Sequence, residues 1–545
     1  MALDKKHKGF RFPKAMPIDA NNVIFEQAFA RLLVLVRTKG LPITTTTKAT
    51  LHPEDLVEII IQDKEHFQGI KDDAQRKRLL EHWLTNDFTT CVREGRGGHS
   101  GEARIASMKP IHMSTIKLLD PRIRSQDRDV SLFLYNIFRD SGLLDTESLL
   151  PFLTLGTTDF GEYDLKINEA EAKNLDIEAL FLLRLLEHFK VDMADRKKKV
   201  ASHDFLCLAQ KQLIINDTAR LLVYKDSIPR RELIQYLMML LSFHTALYCI
   251  KTFSLVNGIV ETKKFRCSRC KSIKADSLNE LSTCEHHPDI FADLTNGQNE
   301  TCDEQAKANV ARHYATMYRY FRSHYKLAKL DEFARTFPGY TGTLDELVKF
   351  MGHKDVDAFF RLKLSDVTRL EVGEEQDPEI QAIVDLNLPP FDAYVDILTQ
   401  KTFKTRMRNH KSLMSSLCGL NRDDGFLHGG RGQKRKYVLG NQLLELLVQL
   451  AVVDARTRHG QVEFYTKPIA ITDFVKWMHN RYGILIDATI SPNDSPDVNR
   501  ALEANYAALK DRLRQLGFFT DLSDASISQV IRPRFPINSE ELKGI

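Results

Sequence analysis

Apolar residues recur along this chain at helical spacing far more often than at the alternating spacing of strands. Between Asp176 and Lys190, Ile177, Leu180, Phe181, Leu183, Leu185 and Leu186 leave only a narrow polar face, the mark of a helix packed on most sides. Leu233 to Ile250 is nearly all apolar, broken by Gln235, Ser242, His244 and Thr245. A single stretch of this length sits at the lower limit for crossing a bilayer, so it reads as a buried helix, with His244 and Cys249 as core residues. From Ala306 to Leu330 a long helix is expected, in which Tyr314, Tyr318, Phe321 and Tyr325 form an aromatic stripe beside Arg312, Arg319, Arg322, Lys326 and Lys329. Either the aromatics face inward under a solvated basic face, or the two stripes together follow a phosphate backbone.

The last hundred residues predict helix, helix, helix, hairpin. Leu443, Leu444, Leu446, Leu447 and Leu450 begin the series; a second helix starts near Thr472, as its cap, and carries Phe474, Val475, Met478 and Tyr482. Leu502, Tyr506, Leu509, Leu513 and Leu516 mark the third, with Gly517 placed for a left-handed terminus. Phe518 to Leu522 and Gln529 to Arg534 alternate around Ser-Asp-Ala-Ser as two strands of a wing, which together fit a winged helix-turn-helix. The chain thus reads as mainly α and multidomain. It divides into a helical core domain (1–260), a zinc-knuckle module (261–305), a helical middle region with an acidic linker near 371–378 (306–400), a basic loop region (401–436) and a winged-helix-like domain (437–545). With 545 residues, several domains are expected at roughly 150 residues each.

Composition adds little until it is localised. The charged fraction is 28% and the hydrophobic fraction 43%, ordinary for a globular protein, and the net charge of +4 says nothing of nucleic acid by itself. Residues 401–436, however, hold ten Lys or Arg against two Asp. Lys404, Arg406, Arg408 and Lys411, then Arg431, Lys434, Arg435 and Lys436, make the electrostatic case for DNA as a partner, and Arg319 and Arg322 extend it. A solvated basic linker is the plainer reading of the same residues. The segment from 437 onward carries twelve basic and thirteen acidic residues, a balance better suited to protein contacts than to DNA. The charged N-terminal octapeptide Met-Ala-Leu-Asp-Lys-Lys-His-Lys has no apolar region behind it, so a cytoplasmic protein without membrane association is expected.

Cysteine spacing names the one specific chemistry. Cys267-Ser-Arg-Cys270 is followed by Cys284-Glu-His-His287, two knuckles that present three thiols and an imidazole for a tetrahedral zinc ion. A full shell of four protein ligands leaves no position for water, so the zinc is structural. His286 can replace His287, and Cys302 can complete a four-thiolate variant. Lys263, Lys264, Arg266, Arg269, Lys271 and Lys274 surround the first knuckle and either offset thiolate charge or grip phosphates. The glycine-rich loop Arg93 to Gly101 could cradle an anion, but it matches neither a P-loop nor a nucleophile elbow and reads more simply as a surface loop. No catalytic motif emerges, apart from the common tripeptide Glu261-Thr262-Lys263, whose form occurs in one class of metal-dependent nucleases.

The helical N-terminal half, the Cys267/Cys270/Cys284/His287 knuckle, the basic Arg431 to Lys436 loop and a terminal winged helix resemble, in that order, large accessory subunits of bacterial anti-phage cassettes of the methylation-associated and phosphorothioation-dependent types. The resemblance implies a non-enzymatic DNA-associated scaffold or adaptor beside a separate ATPase, nuclease or methyltransferase. A divergent metal-dependent nuclease and a purely protein-binding structural subunit are the alternatives.

Overall fold

The computed structural model describes residues 7, 9–41, 51–93, 103–119, 127–139, 141–143, 149–158, 166–189, 205–265, 284, 286–369, 377–430, 434–458, 461–487, 495–518 and 529–538. The fold is mainly helical. The N-terminal half holds α1 (Phe25–Arg37), α2 (Pro53–Gln62), α3 (Ala74–Trp83), the antiparallel hairpin β1 (Thr89–Arg93) and β2 (Ala103–Met108), α4 (Val130–Arg139), α5 (Leu149–Thr154), α6 (Glu169–Ala172), α7 (Ile177–Glu187), α8 (Leu208–Leu222) and α9 (Arg230–Thr262). There follow β3 (Ile290–Phe291), α10 (Glu300–Ala315), α11 (Met317–Ala334), α12 (Leu344–Lys349), α13 (Val356–Thr368), α14 (Pro378–Val384) and α15 (Pro390–Leu417). The remainder comprises β4 (Leu427–His428), β5 (Lys436–Tyr437), α16 (Asn441–Ala451), β6 (Val453–Arg458), β7 (Gln461–Thr466), β8 (Ile469–Ala470), α17 (Ile471–Tyr482), β9 (Ile484–Leu485), α18 (Pro496–Gln515) and β10 (Val530–Ile531).

Helix α9 is the axis. Its 33 residues span about 50 Å, and it packs against α8, α11, α15, α1 and α16. It is the one helix among the described residues long and apolar enough to cross a membrane, yet most of its apolar stretch is buried inside the protein. Apolar side chains on nearly every face explain that burial, since a helix without a polar side must be surrounded. It ends at Lys263, which takes a left-handed conformation with φ of 55°.

Two ionisable residues buried here, Asp217 and His244, are paired, whereas the Lys251 ammonium on α9 is buried with no hydrogen-bond partner among the described residues. Asp217 on α8 is fully buried, 3.0 Å from the His244 ring of α9 and 2.6 Å from the Tyr482 hydroxyl of α17, and it pairs with the Arg481 guanidinium. The other nitrogen of His244 meets the Gln210 amide at 2.9 Å. Burial pushes the Asp217 carboxyl up, but Arg481 and His244 together hold it well below the usual carboxylate range. This cluster joins the last turn of α17 to helices more than two hundred residues earlier.

The C-terminal third departs from the expected order. The hairpin β6–β7 follows the first of the three helices, not the third. Of the expected wing strands, Val530–Ile531 pairs antiparallel with β8, and residues 519–528 lie outside the described residues. Helix α17 starts at Ile471 after an uncapped Ala470, so Thr472 does not cap it. The helix expected over 306–330 is two helices meeting at Thr316. Helix α15 runs unbroken through residue 400, which puts the first half of the basic segment on a helix instead of a loop. The glycine-rich loop 94–101 and most of the acidic linker lie outside the described residues.

The Asp217 cluster sets a stability test. A surface pair such as Arg500–Asp497, whose side chains are 74% and 67% exposed, is screened by water. Removing one member of a buried pair strands the other charge, at a cost of about 3–5 kcal/mol. Asp217→Ala is therefore expected to shift the urea midpoint far more than Arg500→Ala. Because the carboxyl is held below its unfolded value, its contribution is complete above the ordinary carboxylate range and fades only as pH falls through the lowered value.

Candidate metal centre and nucleic-acid surface

Beyond Lys263 the chain enters 266–283, which contains Cys267 and Cys270 and lies outside the described residues. It returns at Cys284, which is buried. The turn Cys284-Glu-His-His287 closes with the His287 amide donating to the Cys284 carbonyl at 2.9 Å. His286 points back to α9, its Nδ1 2.8 Å from the Ser254 hydroxyl. His287 points the other way: its Nε2 is 2.9 Å from the His479 carbonyl oxygen on α17, and its Nδ1 is 3.2 Å from an Asp289 carboxylate oxygen. The two imidazoles and the carboxylate place one ligand atom each within 4.8 Å of one another. The His287 ring beside Asp289 holds its carboxyl below the usual range against partial burial, helped by His479 and Arg312.

Backbone packing fixes this arrangement. Gly483 follows α17 with φ of 77°, and a Cβ there would lie 2.3 Å from the Pro288 carbonyl oxygen. Only glycine lets the two strands approach so closely. The Ile290 amide then donates to the Gly483 carbonyl at 2.7 Å, and β3 pairs parallel with β9. Cys302 stands apart from this site. Its thiol donates to the Ala501 carbonyl at 3.0 Å between α10 and α18, and burial pushes it up to about 11.

The predicted cations sort into two groups. Arg319 pairs with Glu261, Arg322 with Asp396 and Asp392, and Lys436 with Asp293 at 2.7 Å and Asp303 at 2.6 Å. Arg322 and Lys436 are neutralised within the fold, so they serve packing before any partner, whereas the Arg319–Glu261 pair is exposed and screened by water. Glu261 lies in the last turn of α9 against Arg319, so the Glu-x-Lys tripeptide sits on a helix end. The aromatic stripe faces inward: Phe321 and Tyr325 are buried, the Tyr318 ring lies tilted 5.4 Å from that of Phe403, and the Tyr314 hydroxyl is 3.1 Å from Arg435. It offers no platform for bases.

The second group stays outside. Lys404, Arg408 and Lys411 are exposed along one face of α15, where residues three and four apart stack above one another, and none pairs with a carboxylate among the described residues. Lys411 lies 5.1 Å over the Tyr314 ring, and Arg435, just before β5, donates to the Lys411 carbonyl at 3.1 Å and so joins the face. Together they line a shallow groove of 590 Å³. Lys434 is exposed beside it. Arg406 turns inward, its guanidinium 4.4 Å over the Phe10 ring. Arg431 lies outside the described residues.

With these sites in place the comparison with known proteins is decisive on family. The chain belongs to the family of methylation-associated defense system protein MAD7, which it matches over residues 5–535. Membership agrees with the resemblance drawn from domain order and makes the chain a defence-system protein. No curated protein matches it. Sequence reasoning missed Asp289 and His479 as partners of His287. Asp289 had a signal, since it follows the knuckle by two residues, whereas His479 gave none from a distant helix.

Lys436 separates the structural cations from the surface ones. Lys436→Ala leaves the fully buried Asp293 carboxylate without its cation and is expected to cost roughly 3 kcal/mol. Lys404→Ala, on the exposed face, is expected to leave the thermal midpoint almost unchanged.

Proposed function

We propose that this chain is a non-enzymatic scaffold or adaptor subunit of a phage-defence assembly in the cytoplasm, and that it associates with DNA through the exposed face of α15. The observation that carries this reading is the row Lys404, Arg408 and Lys411, joined by Lys434 and Arg435, which keeps its charge while neighbouring cations are paired internally. Cations on one helix face, spaced by a helical turn, suit a run of phosphates, because each neutralised phosphate releases condensed counterions. No aromatic platform accompanies them, so association with the backbone and not with bases is the expected mode. A structural zinc held by Cys267, Cys270 and Cys284, with His287 or His286 as fourth ligand, would fix the segment beyond α9. The near-neutral segment from 437 onward, expected as a winged helix, is assigned to protein partners such as an ATPase or nuclease of the same system.

The test is retention on duplex DNA as a function of salt. Lys404→Glu/Arg408→Glu/Lys411→Glu is expected to weaken binding and to reduce the slope of log K against log salt by about 0.9 for each phosphate that the variant no longer neutralises. An unchanged slope, or a wild-type chain without salt-sensitive retention, favours a purely protein-binding subunit. Cleavage of the DNA by the purified chain in Mg²⁺ or Mn²⁺ favours the nuclease alternative.

A further inference from the structure

His287 presents a chemical problem that points to a ligand. A backbone carbonyl can only accept, so the 2.9 Å approach of Nε2 to the His479 oxygen means that Nε2 carries the hydrogen. In a neutral ring Nδ1 is then a bare lone pair. It faces an Asp289 carboxylate oxygen at 3.2 Å, an acceptor opposed to an acceptor. Something positive must lie between them, either a second proton on the ring or a metal ion. The same hydrogen bond to a carbonyl is how metal-binding histidines are held in orientation, with the second nitrogen left bare. An independent observation favours the ion. His479 Nδ1 is buried and has no hydrogen-bond partner among the described residues, although a buried ring nitrogen normally finds one.

We propose that His287, Asp289 and His479 form a divalent metal site of their own, distinct from the cysteine knuckle and independent of the reading of the chain as a DNA scaffold. Two imidazoles and one carboxylate suit a borderline first-row ion such as Zn²⁺, Co²⁺ or Fe²⁺ better than Mg²⁺ or Ca²⁺, which favour oxygen. Three protein ligands leave positions open, in contrast to the closed shell of a structural knuckle. His287 and Asp289 both line a groove of 1070 Å³ whose wall also carries Arg312 and Arg319. An ion held there is accessible to water or to an anionic oxygen ligand. The assignment also removes His287 from the cysteine site and leaves His286 as the imidazole available to it.

Cobalt distinguishes the two sites, because only thiolate ligation gives intense near-ultraviolet charge transfer. The full chain, freed of metal with a chelator and kept reduced, is titrated with Co²⁺ while absorption and bound metal are followed. Cys267→Ser/Cys270→Ser is expected to lose the thiolate band and to keep a cobalt site. In that background Asp289→Asn or His479→Gln is expected to weaken the remaining site by about a hundredfold. The Asp289 side chain is 68% exposed, so its replacement leaves the fold intact. The proposal is overturned if the cysteine variant binds no cobalt, or if Asp289→Asn leaves its affinity unchanged, in which case His287 and Asp289 are an ordinary ion pair. It is overturned equally if Asp289→Asn or His479→Gln in the wild-type chain abolishes the thiolate band, since the residues then belong to one mixed site.

Discussion

The last turn of α17 holds the molecule together. Arg481 and Tyr482 reach back to the fully buried Asp217 of α8, and His244 on α9 completes the set, so charge that would be prohibitive alone is satisfied in pairs. Just before Arg481 in the same helix, the His479 carbonyl receives His287, and just after Tyr482, Gly483 admits the Pro288 strand. The same turn thus anchors the C-terminal third to the N-terminal half and positions His287, three residues after Cys284. The proposed metal site depends on that anchor, because His287 and His479 meet only while α17 stays docked on α8 and α9.

A second constraint is charge distribution. The segment 401–436 is strongly basic in sequence, but the fold does not present all of it. Lys401 is drawn to Asp377 and Glu379, Arg422 to Asp424 and Lys436 to Asp293 and Asp303. What remains is a short ordered row on one face of α15. A row of a few cations held by a rigid helix is a more specific feature than a long basic loop, since its spacing is fixed and it loses little entropy on meeting a regular polyanion.

Much of the helical framework was legible because it follows from periodicity. The apolar stretch Leu233–Ile250 is indeed the buried axis, the Ile177–Leu186 pattern is α7, and Leu502–Leu516 with Gly517 is α18 followed by a left-handed glycine, φ 77°. The resemblance to methylation-associated defence subunits agrees with the family, although the C-terminal order of elements differs from the one that suggested it. What the sequence could not show is long-range pairing. Nothing local tells that Lys436 will be buried on Asp293, or that His287 will meet a helix almost two hundred residues later. Thr472 misled because a capping side chain is only one way to begin a helix; here β8 leads directly into α17. The hairpin after α16 was missed because Asp454 to Arg458 is polar and carries no clean alternation.

Association with DNA requires cations that remain available while their neighbours are neutralised, and lysine reactivity measures that directly. Acetylation of the purified chain with and without duplex DNA, read by mass spectrometry, should show protection at Lys404, Lys411 and Lys434 and no change at Lys354 and Lys476, exposed on other surfaces. Unchanged reactivity along α15 in the presence of bound DNA, or protection spread evenly over all exposed lysines, would contradict it.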